Sequence, residues 1–246
     1  MGRKQLLEAM ESVEDNAALL SLREYRPQYV KRSYGASFTA AFGRSYSLLG
    51  FSIVDVPEKI RSRSFRADPN RSHKLCCEKV RTVPYAPYGG FFFKAELLSK
   101  IGLPSKAFYL HEDDHEFTRR FVAKRYPIYL VPPSRIADAQ PSWHQDRPRR
   151  SRWVGSWLLT ETEAAKMGKL YYSIRNRMFF EMHSLRWHKN PLYAINVLSY
   201  LTILFSQAFL MRLNRKYIAW QSFLVIIGAV KDALHSRLGK VEAFDI

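Results

Sequence analysis

Between Asn190 and Met211 the chain runs for 22 residues without a charge, bounded by Lys189 and Arg212. About 20 predominantly apolar residues cross the hydrocarbon core of a bilayer as a helix. Such a segment has to be wrapped by protein or covered by lipid. Asn190, Pro191, Asn196, Ser199, Ser206 and Gln207 interrupt it, which makes a full span marginal. A second uncharged run, Tyr217 to Val230, is too short to span and suits the membrane interface. Cationic flanks favour an anionic leaflet. The expectation is a helical appendage seated at the cytoplasmic face of a membrane, peripheral or monotopic. A single transmembrane helix near 190–211 is the alternative.

The chain has 246 residues, room for one large domain or one domain plus an appendage. Its 47% hydrophobic and 14% aromatic content supplies a core and argues against disorder. A net charge of +17 calls for an anionic partner: nucleic acid, a membrane surface, or a phosphate-bearing substrate. Cys76 and Cys77 are adjacent, so they form no ordinary disulfide and read as free thiols in a reducing compartment. The first residues lack the apolar core of a signal peptide, and Leu6 breaks the myristoylation pattern. A cytosolic start is expected.

Leu6, Leu7, Met10, Val13 and Ala17 recur at helical spacing, predicting an amphipathic helix over residues 3–17. Ser37–Phe42 and Leu48–Val56 read as strands broken by Gly43, Gly50 and Pro57. Arg61, Arg63, Arg66, Arg71, Lys74, Lys79 and Arg81 face only Asp68 and Glu78, a solvated loop or a basic lip over an anionic substrate. Residues 83–94 read as a turn, a glycine pair and a short buried strand; a helix over Ala95–Ile101 then ends on Gly102 and Pro104. Phe117, Phe121 and Val122 stripe a further helix, and Tyr126–Val131 is a strand closed by Pro132 and Pro133. Beyond a second basic cluster, Arg147 to Arg152, Leu158–Arg186 has helical period. The alternation points to α/β organisation.

The candidate chemistry sits in Ala107–Phe121, around His111-Glu-Asp-Asp-His115. Asp113-x-x-Glu116 has the form of a capping box, with Asp113 as N-cap and Glu116 reaching back. His111 to His115 also matches H-E-x-x-H, which would make a zinc peptidase if both histidines lay in one helix. The capping signal places His111 ahead of that helix and leaves a third ligand unassigned, with His144 the available candidate.

A third reading comes from the wider context. Tyr85–Pro104, with its Gly89-Gly90 pair and Ile-Gly-Leu-Pro helix end, resembles the acceptor-side segment of family-2 glycosyltransferases. The likeness continues through Phe108–Phe117, Tyr126–Pro132, Ser142-Trp143-His144 and Tyr171-Tyr-Ser-Ile-Arg-Asn-Arg177. Val230–Gly239 resembles the basic C-terminal helix of lipid-linked sugar transferases such as rhamnosyl- and galactofuranosyltransferases.

The resemblance implies an α/β fold: an incomplete GT-A (Rossmann-like) catalytic domain over residues 1–185 and membrane-associating helices over 186–246. It implies an inverting transferase that moves a sugar from a nucleotide-sugar donor to a glycan or polyprenyl-linked acceptor. Asp114 would be the general base that takes the acceptor proton, beside Asp113. Gly89 and Gly90 would admit substrate close to the backbone, with Trp143 contributing to the site. His144 would help to hold a divalent cation, Mg²⁺ or Mn²⁺. Arg175 and Asn176 would lie near the diphosphate, where Arg175 offsets leaving-group charge. The family's Asp-x-Asp metal motif is missing from the nine aspartates. The resemblance therefore implies a chain without the nucleotide-binding half, so that turnover by this chain alone is in question. The rivals are a non-catalytic membrane-associated remnant and a nucleic-acid-binding protein. No RNP motif or zinc finger accompanies the basic clusters, and nucleic acid is not the expected partner.

Overall fold

A computed structural model describes residues 2–57, 80–137, 155–159, 164–214 and 217–244. The chain divides into two units. One comprises Met1–Ser45, Val54–Pro104 and Asp114–Gln145, and the other Tyr46–Ile53, Ser105–Asp113 and Asp146–Ile246. The division differs from a cut at residue 185, because a helix before that point packs with the helices after it.

The first unit is built on a strand that the periodicity does not announce. Helix α1 is Gly2–Glu11 and strand β1 is Ala18–Arg23. The helix stops six residues short of Ala17, which lies at 0% exposure at the mouth of β1. Ala17 to Leu20 is a short apolar run without alternation, the pattern of a strand covered on both faces. Leu19 packs with Leu6 and Val131, while Ala18, Leu20 and Leu22 face Tyr29, Phe117, Phe121 and Ile128. Alternate residues thus feed two separate cores.

Helices α2, Pro27–Ser33, and α3, Phe38–Phe42, follow. The expected strand at 37–42 is this helix: Ser37 caps it by accepting from Ala40 N at 3.2 Å, and Phe42 packs edge-on against Tyr29 and Tyr85. The expected strand at 48–56 is also corrected. Leu48 and Phe51 bond each other's main chains across Leu49 (φ 51) and Gly50 (φ 78), a two-residue hairpin turn, and a 3-10 turn covers Ile53–Asp55.

Strands β2 (Arg81–Val83), β3 (Phe91–Phe93) and β4 (Ile128–Ile136) complete a sheet in the order β2-β4-β1-β3. β1 and β4 are parallel; β2 and β3 are antiparallel to their neighbours. Pro132 and Pro133 do not end β4. Pairing steps from Ser21–Val131 to Leu22–Arg135, so the prolines sit in a bulge where no ladder N–H is needed. The buried Ser21 and Ser134 hydroxyls bond each other there at 2.8 Å. Helix α4 (Leu97–Ile101) ends on Gly102 (φ 83), as its sequence predicts, and helix α5 (Asp113–Ala123) lays Phe117 and Phe121 on the sheet. Phe121 meets Phe91, Phe93 and Phe117 edge-on.

The second unit holds helices α6 (Ala164–His183), α7 (Pro191–Leu213) and α8 (Tyr217–Leu234), with α8 packed on both others. Asn190 caps α7 by accepting from Leu192 N, with Pro191 in the first helical position. Two fully buried asparagines fasten the unit's outlying segments. Asn196 accepts from Ile53 N at 2.9 Å and donates to Tyr46 O at 2.8 Å. Asn176 donates to Tyr109 O and His111 O, each at 2.9 Å.

α7 and α8 are each long and apolar enough to cross a membrane by length and composition. At 18 residues, or about 27 Å, α8 outruns its uncharged stretch, because Lys231 and Asp232 continue the helix. The expectation that it is too short is therefore corrected. Tyr171 donates to Asp232 at 2.5 Å, which gives that charge a partner inside the unit.

Candidate functional site

The chain enters α5 through Leu110 (φ 71) and Glu112 (φ 68), two non-glycine residues in left-handed conformation. Such conformations persist where neighbours over-determine them, and here the neighbours are on α6. The buried Asn176 amide takes the carbonyls of Tyr109 and His111. Arg177 Nη1 lies 3.3 Å from Glu112 Oε2, and its Nε donates to Glu181 Oε1 at 2.9 Å. Glu181 is wholly buried and also accepts from Tyr193 Oη and Leu49 N. Burial pushes its carboxyl up to about 7, against the opposing pull of Arg177.

Helix α5 begins at Asp113, so Asp113 is its first helical residue rather than its N-cap. The capping box does not form, because Glu116 is held by Arg120 Nε at 2.7 Å and Nη2 at 2.5 Å. Asp114 is the acid that meets the helix end: its Oδ1 accepts from His115 N at 2.7 Å. Both aspartates are half-buried. The Thr118 hydroxyl accepts from Ala86 N and lies within hydrogen-bond reach of the carbonyls of Asp114 and Ala86. One buried hydroxyl thus fixes the first turn of α5 to the segment that leads into Gly89 and Gly90.

The left-handed Glu112 also removes the zinc-peptidase geometry, since His111 lies before the helix and cannot stand one turn below His115 on it. Among the described residues no group of three His, Cys, Asp or Glu side chains could hold a metal ion. Trp143 and His144 lie outside the described residues, as do both basic clusters except Arg81.

The glycine pair divides in role. Gly90 has φ +80, and a Cβ there would stand 2.6 Å from Ile136 Cδ1 and 2.9 Å from Ser21 Cβ. Glycine is required at Gly90 by the sheet, without any substrate. Gly89 is exposed, and a Cβ on it would meet only the end of the Arg23 side chain.

Arg175 and Asn176 are both at 0% exposure. Arg175 donates to Asn176 Oδ1 and to Gly239 O, and its guanidinium lies over the Tyr171 and Tyr172 rings. These residues tie Gly239, Tyr109 and His111 into the helical unit.

Sequence reasoning missed Thr118, Arg177 and Glu181. Their signal was weak: a threonine one turn after Asp114, and an Arg-x-x-x-Glu pair on a helix read only by its period.

The fold is a mixed α/β chain with a four-stranded mixed sheet and a C-terminal helical region bearing two apolar helices. No protein-family model, curated protein or solved structure matches it.

Proposed function

We infer that the chain is the acceptor-side part of an inverting glycosyltransferase of the family-2 type, working at the cytoplasmic face of a membrane. The observation that carries this reading is Asp114. It is a half-buried carboxylate in the first turn of α5, and Thr118 anchors its main chain to the approach to the glycine pair. A general base for glycosyl transfer needs a carboxylate held in place by a fixed backbone. The donor would be a nucleotide sugar and the acceptor a glycan or polyprenyl-linked sugar, as the sequence resemblance implies. Asp114 would take the acceptor hydroxyl proton while that oxygen attacks the anomeric carbon and the nucleoside diphosphate leaves.

Membrane seating is favoured by α7, which is apolar around its whole circumference. Tyr193, Val197, Tyr200, Leu204 and Ala208 face the unit, while Ile195, Leu198, Phe209 and Leu213 stand exposed. Two of the polar residues that made a span marginal bond inside the unit. Asn196 is consumed in the unit, and Ser206 bonds the carbonyl of Thr202 one turn earlier.

The test is nucleoside diphosphate release from a panel of nucleotide sugars, using membrane-associated protein and a polyprenyl-diphosphate-linked acceptor. Asp114→Asn is expected to lose about 10²–10⁴ in turnover, and Asp113→Asn much less. Equal turnover in Asp114→Asn would overturn the base assignment. Absence of release from every donor would instead favour a non-catalytic membrane-associated protein, a reading that the burial of Arg175 also favours.

A further inference from the structure

A cavity of ≈ 330 Å³ opens in the first unit where the last turn of α5 meets the edge strand β2. Phe38, Thr82, Pro84, Arg119, Arg125 and Tyr126 are among its lining residues, none of which is acidic. Its size falls in the range of about 300–1,000 Å³ that holds small ligands. The Asp113–Asp114 pair is at the opposite end of α5, about 15 Å away along an 11-residue helix.

Arg119 has no carboxylate partner among the described residues, and its buried Nε makes no hydrogen bond. Glu116, one turn back, is committed to Arg120. Burial lowers the Arg119 pKa against the opposing pull of Tyr85, so the cavity holds a cation at a desolvation cost. Arg125 stands exposed at the rim, at the left-handed position that closes α5. Arg125 N bonds Val122 O and Tyr126 N bonds Phe121 O, a helix ending that ordinarily takes glycine. Behind the lining, Arg32 lies 4.3 Å from the Phe38 ring centroid and donates to the carbonyls of Thr82 and Ala36. Its own pKa is lowered by burial and by the charge of Arg81. Cations at a helix C-terminus also offset its dipole. That role is served from solvent and gives no reason to bury Arg119 Nε without an acceptor.

We propose that this cavity binds a phosphate ester carried on a flat apolar body, with Arg119 and Arg125 on the phosphate and Phe38 and Tyr126 beside the body. A guanidinium fork matches phosphate oxygens in pairs, and the remaining walls, Val83, Val122, Pro127 and Ile128, are apolar. The site stands independently of the glycosyltransferase reading.

The experiment is titration calorimetry on the whole chain in detergent at fixed ionic strength, with phenyl phosphate and inorganic phosphate as probes. Saturable one-to-one binding is expected, with phenyl phosphate about 10-fold tighter than inorganic phosphate. Arg119→Gln should weaken it about 10-fold or more, and Arg125→Gln, on the exposed rim where folding is not at stake, by about 3- to 10-fold. Lys4→Gln removes the same charge from α1 and should change nothing. Displacement of phenyl phosphate by phosphatidic acid in mixed micelles assigns a lipid headgroup; binding that resists such displacement assigns a soluble ester. The proposal falls if both arginine variants bind as wild type, if Lys4→Gln weakens binding equally, or if the two probes bind alike.

Discussion

The side-chain amide of Asn176 donates to the main-chain oxygen of His111 at 2.9 Å, joining points 65 residues apart in sequence. One fully buried amide thereby sets the course of the backbone three residues before Asp114. Its second proton goes to Tyr109 O, and its oxygen accepts from Arg175 Nε. Asn176→Leu keeps the volume and removes all three bonds. Each buried group left unsatisfied costs roughly 1–3 kcal/mol. A drop in thermal unfolding midpoint is expected, together with faster amide exchange over residues 105–113. Unchanged exchange there would show that the segment holds its course without Asn176.

Gly89 and Gly90 should respond unequally to the same substitution. Gly90→Ala forces a Cβ to 2.6 Å from Ile136 Cδ1 at φ +80, and a loss of about 1–3 kcal/mol is expected from the conformation alone. Gly89→Ala meets only the movable end of Arg23 and should stay within about 0.5 kcal/mol of wild type. Chemical denaturation of both variants reads the contrast. Equal effects would contradict the sheet origin of the Gly90 requirement.

Glu181 gives the helical unit a pH dependence with a defined sign. Its carboxyl is raised from 4.5 to about 7, first by burial. Between those values the folded state keeps a proton that the unfolded state releases, so stability falls as pH rises through this window and levels off above it. Glu181→Gln should remove the slope, and its stability relative to wild type should therefore improve from pH 4.5 to pH 8. Parallel unfolding curves for the two proteins across this range would disprove the assignment.

The exposed face of α7 predicts behaviour at membranes. Leu198 is 66% exposed within the unit, and an aspartate there would cost about 2.5–3.5 kcal/mol near a bilayer centre. Wild-type protein should stay with membranes through high salt and alkaline carbonate, while Leu198→Asp should be released by carbonate. Removal of the wild type by salt alone would mean that charge holds it rather than apolar contact.

Local sequence determined the elements whose causes are local. The Gly102 helix stop and the Phe117–Phe121 stripe each follow from a few neighbouring residues, and each stands where the pattern puts it. The acidic stretch was legible as a helix start and a candidate site for the same reason. What tertiary structure alone decided depends on partners distant in sequence. Ala17–Leu20 becomes the central strand because separate cores cover its two faces, and β4 runs past its prolines because the bulge relieves them of a ladder bond. Glu116 turns to Arg120 instead of its own helix end, and Arg175 turns inward to Gly239 and two tyrosine rings. A charged side chain in a sequence states what it can bond; only the fold determines whether water or protein reaches it first.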